Sequence, residues 1–122
     1  MKSRYENDTP IDNLMVVLDL LFKQWGDNTT REILRWPSKE GPYVQIGHHH
    51  DHSDTMYDRF LVTNSVADEL LAAQYVKGKP QWGYTEMREL SITPVGERIL
   101  LNERKRLELD PNLRSEWWLR RH

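Results

Sequence analysis

The segment Asn64–Leu101, NSVADELLAAQYVKGKPQWGYTEMRELSITPVGERILL, carries several structural signals in one order. Val66, Ala67, Leu70 and Leu71 fall on one side of a helix that leads into Tyr75 and Val76. A loop rich in glycine and proline follows, then a strand in which Leu90 and Ile92 alternate with polar neighbours. Thr93 and Pro94 open another helix. A threonine at that position accepts from the first free helical amides, and proline in the first turn gives up no hydrogen bond the helix would have made.

The rest of the chain is read outward from this stretch. Thr9, Pro10 and Asp12 predict a helix start, and Ile11, Leu14, Met15, Leu18, Leu21, Phe22 and Trp25 continue one broad apolar face until Gly26. Val16, Val17 and Leu20 widen that face. It therefore suits either a central helix wrapped by a small domain or, over 10–25, a helix that packs on a second copy of the chain. Asp27 to Trp36, DNTTREILRW, predicts a second, shorter helix capped by Asn28 or Thr29 and ended by Pro37. Tyr43 to Ile46 predicts a strand, with Arg59 to Val62 as its partner across the intervening loop.

Composition bounds the possibilities. The chain has 122 residues, enough for one domain with a small core, and 30% charged residues with five tryptophans suit a folded domain better than a disordered one. There is no cysteine, so thiolate chemistry and disulfides are excluded. The amino terminus is polar, and no stretch reaches the roughly 18 apolar residues of a membrane span. The expectation is a cytoplasmic protein. A formal charge of −2 gives no global attraction to nucleic acid.

The order helix, strand, loop, strand, helix resembles the winged helix-turn-helix fold. LSITPVGERILL is similar to the LTxxG-type segment that closes the wing in MarR-like and PadR-like regulators and in small phage and plasmid proteins. The resemblance covers residues 64–101. It implies an α+β winged helix, mainly α with a small antiparallel two- or three-stranded wing sheet, over 10–110. A flexible leader would occupy 1–9 and an aromatic and basic tail 111–122. It further implies a DNA-binding regulator that reads duplex DNA with the helix from Ser65 to Gln74. Homodimers are common among such regulators, with the added 10–25 helix as the interface.

The candidate contact residues divide by charge. The exposed side of the helix before the wing holds Ser65, Asp68 and Glu69 and no cation, so it would meet phosphates with like charge. Lys77, Lys79 and Arg88 flank Trp82 and Tyr84 in the wing, where the cations suit phosphate and the aromatics suit a protein interface. The tail adds Trp117, Trp118, Arg120 and Arg121, a mixture found both in interface hot spots and in base-stacking patches. Two functions follow: a winged-helix DNA-binding regulator, or a protein-binding winged-helix module such as a phage or mobile-element accessory protein that masks a partner.

A third function, that of a metal-dependent enzyme, rests on the histidine-rich loop. His48, His50 and His52 share one side of an extended segment, so a pair of imidazoles there suits zinc. The alternative for that loop is a solvated hairpin tip. No GxSxG elbow and no phosphate-cradling glycine loop is present, so no other catalytic constellation emerges.

Overall fold

A computed structural model describes residues 5, 7–22, 29–37, 39–48, 56–80 and 88–110, with 29–31, 48, 56, 79 and 80 described by backbone alone. The elements in chain order are α1 (Leu14–Leu21), β1 (Thr29–Trp36), β2 (Tyr43–His48), β3 (Met56–Leu61), α2 (Asn64–Ala72), β4 (Val76–Pro80), β5 (Arg88–Ile92) and α3 (Pro94–Leu109). The strands form one sheet in the order β3-β2-β1-β5-β4, with every neighbouring pair antiparallel. All three helices contribute to a core with the sheet, and α1 touches β1, β2, β5, α2 and α3.

This architecture corrects the winged-helix expectation, both as a family resemblance and as a fold that is mainly α with a small wing. The segment Asp27 to Trp36, expected as a helix, supplies β1 from Thr29, and β1 is hydrogen-bonded to β2 on one side and β5 on the other. The β4–β5 pair forms, with Val76 opposite Ile92 and Lys79 opposite Glu89, yet it is no free flap. β5 is an interior strand, joined to β1 through Leu34 opposite Leu90. The β2–β3 pairing matches the expected partnership of Tyr43–Ile46 with Arg59–Val62, with Tyr43 opposite Leu61 and Ile46 opposite Asp58.

The physical reason for the error lies in β1 itself. Residues directly opposite in an antiparallel sheet share a face, so Leu34, Val44 and Leu90 line the helix side while Ile33 and Gln45 line the other. Both sides are buried: Leu34 and Val44 are 0% exposed, Ile33 4% and Gln45 5%. A strand covered on both faces loses the apolar–polar alternation that marks a half-buried strand. Ile33, Leu34 and Trp36 then read as a helical face.

The helix ends show which local signals held. Thr93 caps α3, accepting from the Gly96 amide at 3.1 Å and donating its hydroxyl to the Gln74 carbonyl at 2.7 Å, with Pro94 in the first turn. α1 is shorter than expected because Asn13, not Thr9, is its cap. Ile11 instead pairs with Val62 beside the sheet. From Leu14 to Phe22 every α1 residue is buried or half-buried, and Val17 and Leu18 are fully so, so the broad apolar face is spent on this domain's own core. Gln74 ends α2 with a positive φ of 60°, and the Tyr75 amide donates back to Leu70 while the Gln74 amide donates to Leu71. That is a Schellman ending with glutamine where glycine is usual.

One buried ion pair ties the helices together. Asp19 on α1 accepts from Arg104 on α3, with side-chain exposures of 7% and 13%, and the Arg104 guanidinium lies 5.2 Å from the Phe22 ring centre. Among the described residues no helix is long and apolar enough to cross a membrane.

Candidate functional site

The site residues expected from the sequence are not gathered in one place. Ser65, Asp68 and Glu69 are exposed on α2, and they present carboxylates with no cation among them. Lys77 and Arg88 are exposed on the β4–β5 ribbon, with Lys79 on the same strand as Lys77. Trp82 and Tyr84, expected at its tip, lie outside the described residues, as do Trp117, Trp118, Arg120 and Arg121. His48 ends β2 opposite Met56, while His50 and His52 lie outside the described residues. Among the described residues no group of three or more histidine, aspartate or glutamate side chains is placed to hold a metal ion.

The side of the sheet away from the helices is polar but closed at its centre. Tyr43 there is held between two groups: the Tyr5 ring meets it edge-on with centroids 5.7 Å apart, and the Arg59 guanidinium lies 5.9 Å from its centroid. The Tyr5 hydroxyl is fixed in turn by donation to Glu40 at 2.7 Å. Arg35 reaches across to Glu89 at 3.1 Å, a cross-strand pair that neutralises the one cation at the sheet's centre whose partner lies on β5. With Ile33, Tyr43 and Gln45 all buried, this face has no open floor among the described residues on which a ligand would lie.

The accessible chemistry therefore sits at the sheet's edges, and the two edges differ. β4 carries Lys77, Lys79 and Pro80. Lysine and proline are common devices against unwanted strand pairing, proline because it has no amide hydrogen. β3, MYDRFL, has neither. Its Tyr57 is 47% exposed, one of the largest exposed apolar side chains among the described residues.

The hydrogen-bond parity of β3 follows from one bond and the register. The Val62 amide donates to the Pro42 carbonyl at 2.9 Å, and Tyr43 stands opposite Leu61. In an antiparallel ladder hydrogen-bonded and non-hydrogen-bonded pairs alternate. Phe60 and Asp58 are then the residues that exchange bonds with β2, while Leu61, Arg59 and Tyr57 direct their amides and carbonyls outward. Leu61 bears this out: its amide donates to the Asn7 side chain at 2.8 Å, and its carbonyl accepts from the Ile11 amide at 2.9 Å and from Asn7 at 3.1 Å. Asn7 thus closes the last outward pair, and among the described residues nothing comparable stands against Arg59 or Tyr57. Sequence reading missed this edge because no local pattern tells an edge strand from an inner one. Which strand is outermost depends on β1 pairing with β5, far away in the chain.

Comparison with known proteins gives no relative: no family model, no curated protein and no solved structure matches this chain.

Proposed function

We propose that this chain is a protein-binding module, an accessory protein that acts by docking on another protein. The observation that carries the reading is the β3 edge, where a half-exposed Tyr57 stands beside outward backbone groups and no lysine or proline blocks approach. Tyrosine is among the residues most often responsible for binding energy at interfaces, since it offers large contact area at little cost in conformational freedom. The exposed face of α2 supports the same reading. Asp68 and Glu69 would repel a phosphate backbone, whereas they suit a basic surface on a protein.

The test is capture from an extract of the source cells on the immobilised full chain, with Tyr57→Ala alongside. The expected result is one protein held in stoichiometric amount and released by the substitution. Failure to capture any protein would overturn the reading.

A second reading keeps duplex DNA as the ligand, and one observation favours it: Lys77 and Arg88 are both exposed on the β4–β5 ribbon, with Lys79 between them in the ladder. Such a ribbon would grip phosphates and not read bases. Binding would then weaken with salt with a log–log slope of about −3, and each lysine changed to alanine would reduce the slope by about 1. No detectable binding to a duplex at low salt removes this reading.

A further inference from the structure

We infer that a second copy of this chain covers the outward face of α3 with its acidic α2, the contact being made twice across a two-fold axis. The inference goes beyond the protein-binding reading, because it uses helices and leaves the β3 edge open in both copies. The basic surface that suits Asp68 and Glu69 is then the chain's own.

Its first ground is the composition of α3. Gly96, Leu100 and Leu107 turn inward. The opposite face holds Val95, Arg98, Leu101, Asn102, Lys105 and Leu109, all exposed and none acidic. Val95, Leu101 and Leu109 are 48%, 46% and 78% exposed, and among the described residues Tyr57 is the one other large apolar side chain so open. Val95, Arg98, Asn102, Lys105 and Leu109 are spaced alternately three and four residues apart, the repeat at which one helix seats on another. The acids of α3 are otherwise occupied. Glu103 pairs with Arg106, Glu108 is engaged within the chain, and Glu97 is half-buried in the first turn, where the helix dipole favours a carboxylate.

The second ground is charge complementarity. The outward face of α2 is Ser65, Asp68, Glu69 and Ala72, opposite the buried Val66, Ala67 and Leu70. Among the described residues the side chains of Asp68, Glu69, Arg98 and Lys105 make no hydrogen bond and no ion pair, so these four charges are uncompensated within the chain. Arg98 and Lys105, seven residues apart, stand about 10 Å apart along the helix. A pair of carboxylates set against Asn102, between them, lies about 5 Å along the axis from each, within reach of both long side chains. Ser65 and Ala72 flank the acids and are short, so they leave the cations room to approach.

Only one pairing of these faces joins opposite signs. Two copies of α3 laid antiparallel on each other set Arg98 of one against Lys105 of the other, and α2 on α2 sets acid against acid. With α2 on α3 every copy offers both halves of the contact. The two helices share one core on the same side of the sheet, and the Thr93 hydroxyl bonded to the Gln74 carbonyl ties the start of α3 to the end of α2. A two-fold axis therefore closes the pair with nothing left over. A polyanion is the poorer occupant, because Asp68, Glu69 and a net charge of −2 oppose it.

The experiment is sedimentation of the full chain at low salt, with two charge-reversed variants. One carries Asp68→Lys and Glu69→Lys on α2, the other Arg98→Glu and Lys105→Glu on α3. All four positions are exposed, so both variants should melt close to the parent. The parent is expected as a dimer at concentrations on the order of tens of micromolar, with a Kd that rises about tenfold on going to physiological salt. Each variant alone should be monomeric. An equimolar mixture of the two should dimerise again, because both contacts then join opposite charges, and a loss of fold in either variant could not produce that rescue. A monomeric parent, a variant that stays dimeric, a mixture that stays monomeric or an open-ended polymer overturns the inference. So does a parent whose α3 binds a short DNA duplex and loses it with Arg98→Glu and Lys105→Glu, which would assign the face to nucleic acid. Capture from extract that depends on Tyr57 reports on the β3 edge alone, so the two readings fail separately.

Discussion

Gly96→Ala is the substitution in which local and tertiary physics disagree most sharply about the sign. Gly96 lies in the first turn of α3, where alanine has the better helix propensity by about 1 kcal/mol. An added Cβ would collide with the backbone carbonyl of Tyr75 and come within 3.0 Å of the Ile92 side chain. The carbonyl is fixed, because it accepts from the Thr93 amide at 2.9 Å at the junction that also holds the α3 cap. Relief requires the helix to lift off the β4–β5 pair. Overpacking of this kind costs about 1–3 kcal/mol, and weakening the cap adds about 1 kcal/mol, against the propensity gain of about 1 kcal/mol. The net expectation is a loss of about 2 kcal/mol. For a chain of this size that lowers the melting temperature by roughly 6–10 °C. Thermal and urea unfolding of the two proteins measures it. A variant as stable as the parent, or more stable, would refute the close approach of α3 to Tyr75.

Two further substitutions probe the core and the α2 ending. Asp19→Asn or Arg104→Met alone should cost about 3 kcal/mol or more, because either removes one half of a buried ion pair, whereas the double substitution should cost less than either single one. A double-mutant cycle in urea measures this, and simple additivity would contradict the buried pair. Gln74→Gly should stabilise by up to about 1 kcal/mol, since glycine adopts the observed positive φ without the penalty of a side chain. Destabilisation on thermal unfolding would show that the glutamine side chain has a contact that outweighs it.

What could be read from the chain and what could not divide along the range of the forces involved. Thr93 with Pro94, the α2 face of Val66, Ala67 and Leu70, and the β4–β5 hairpin are set by neighbours within a few residues, and all three appear where periodicity and capping placed them. The Tyr43–Ile46 strand with its Arg59–Val62 partner is also a hairpin and was legible for the same reason. β1 was not, because burial on both faces erases alternation, and Asn28 or Thr29 reads equally well as a helix cap. That single error turned a five-stranded sheet into a helical domain with a flap. The candidate site moved with it. Lys77 and Arg88 are exposed, but Lys77 lies on the guarded edge strand β4 and Arg88 on the interior strand β5, and the open edge at Tyr57 exists only because β3 is outermost.

β3 is an edge strand with alternate residues facing outward. Amide hydrogen exchange of the free chain, resolved residue by residue, tests this most directly. Asp58, Phe60 and Val62 should exchange slowly through their bonds to β2, and Leu61 slowly through Asn7, while Tyr57 and Arg59 exchange near the rate of unstructured peptide. Asn7→Ala should release Leu61 alone. Uniform protection from Tyr57 to Leu61, or slow exchange at Tyr57 and Arg59 with fast exchange at Asp58 and Phe60, would contradict it.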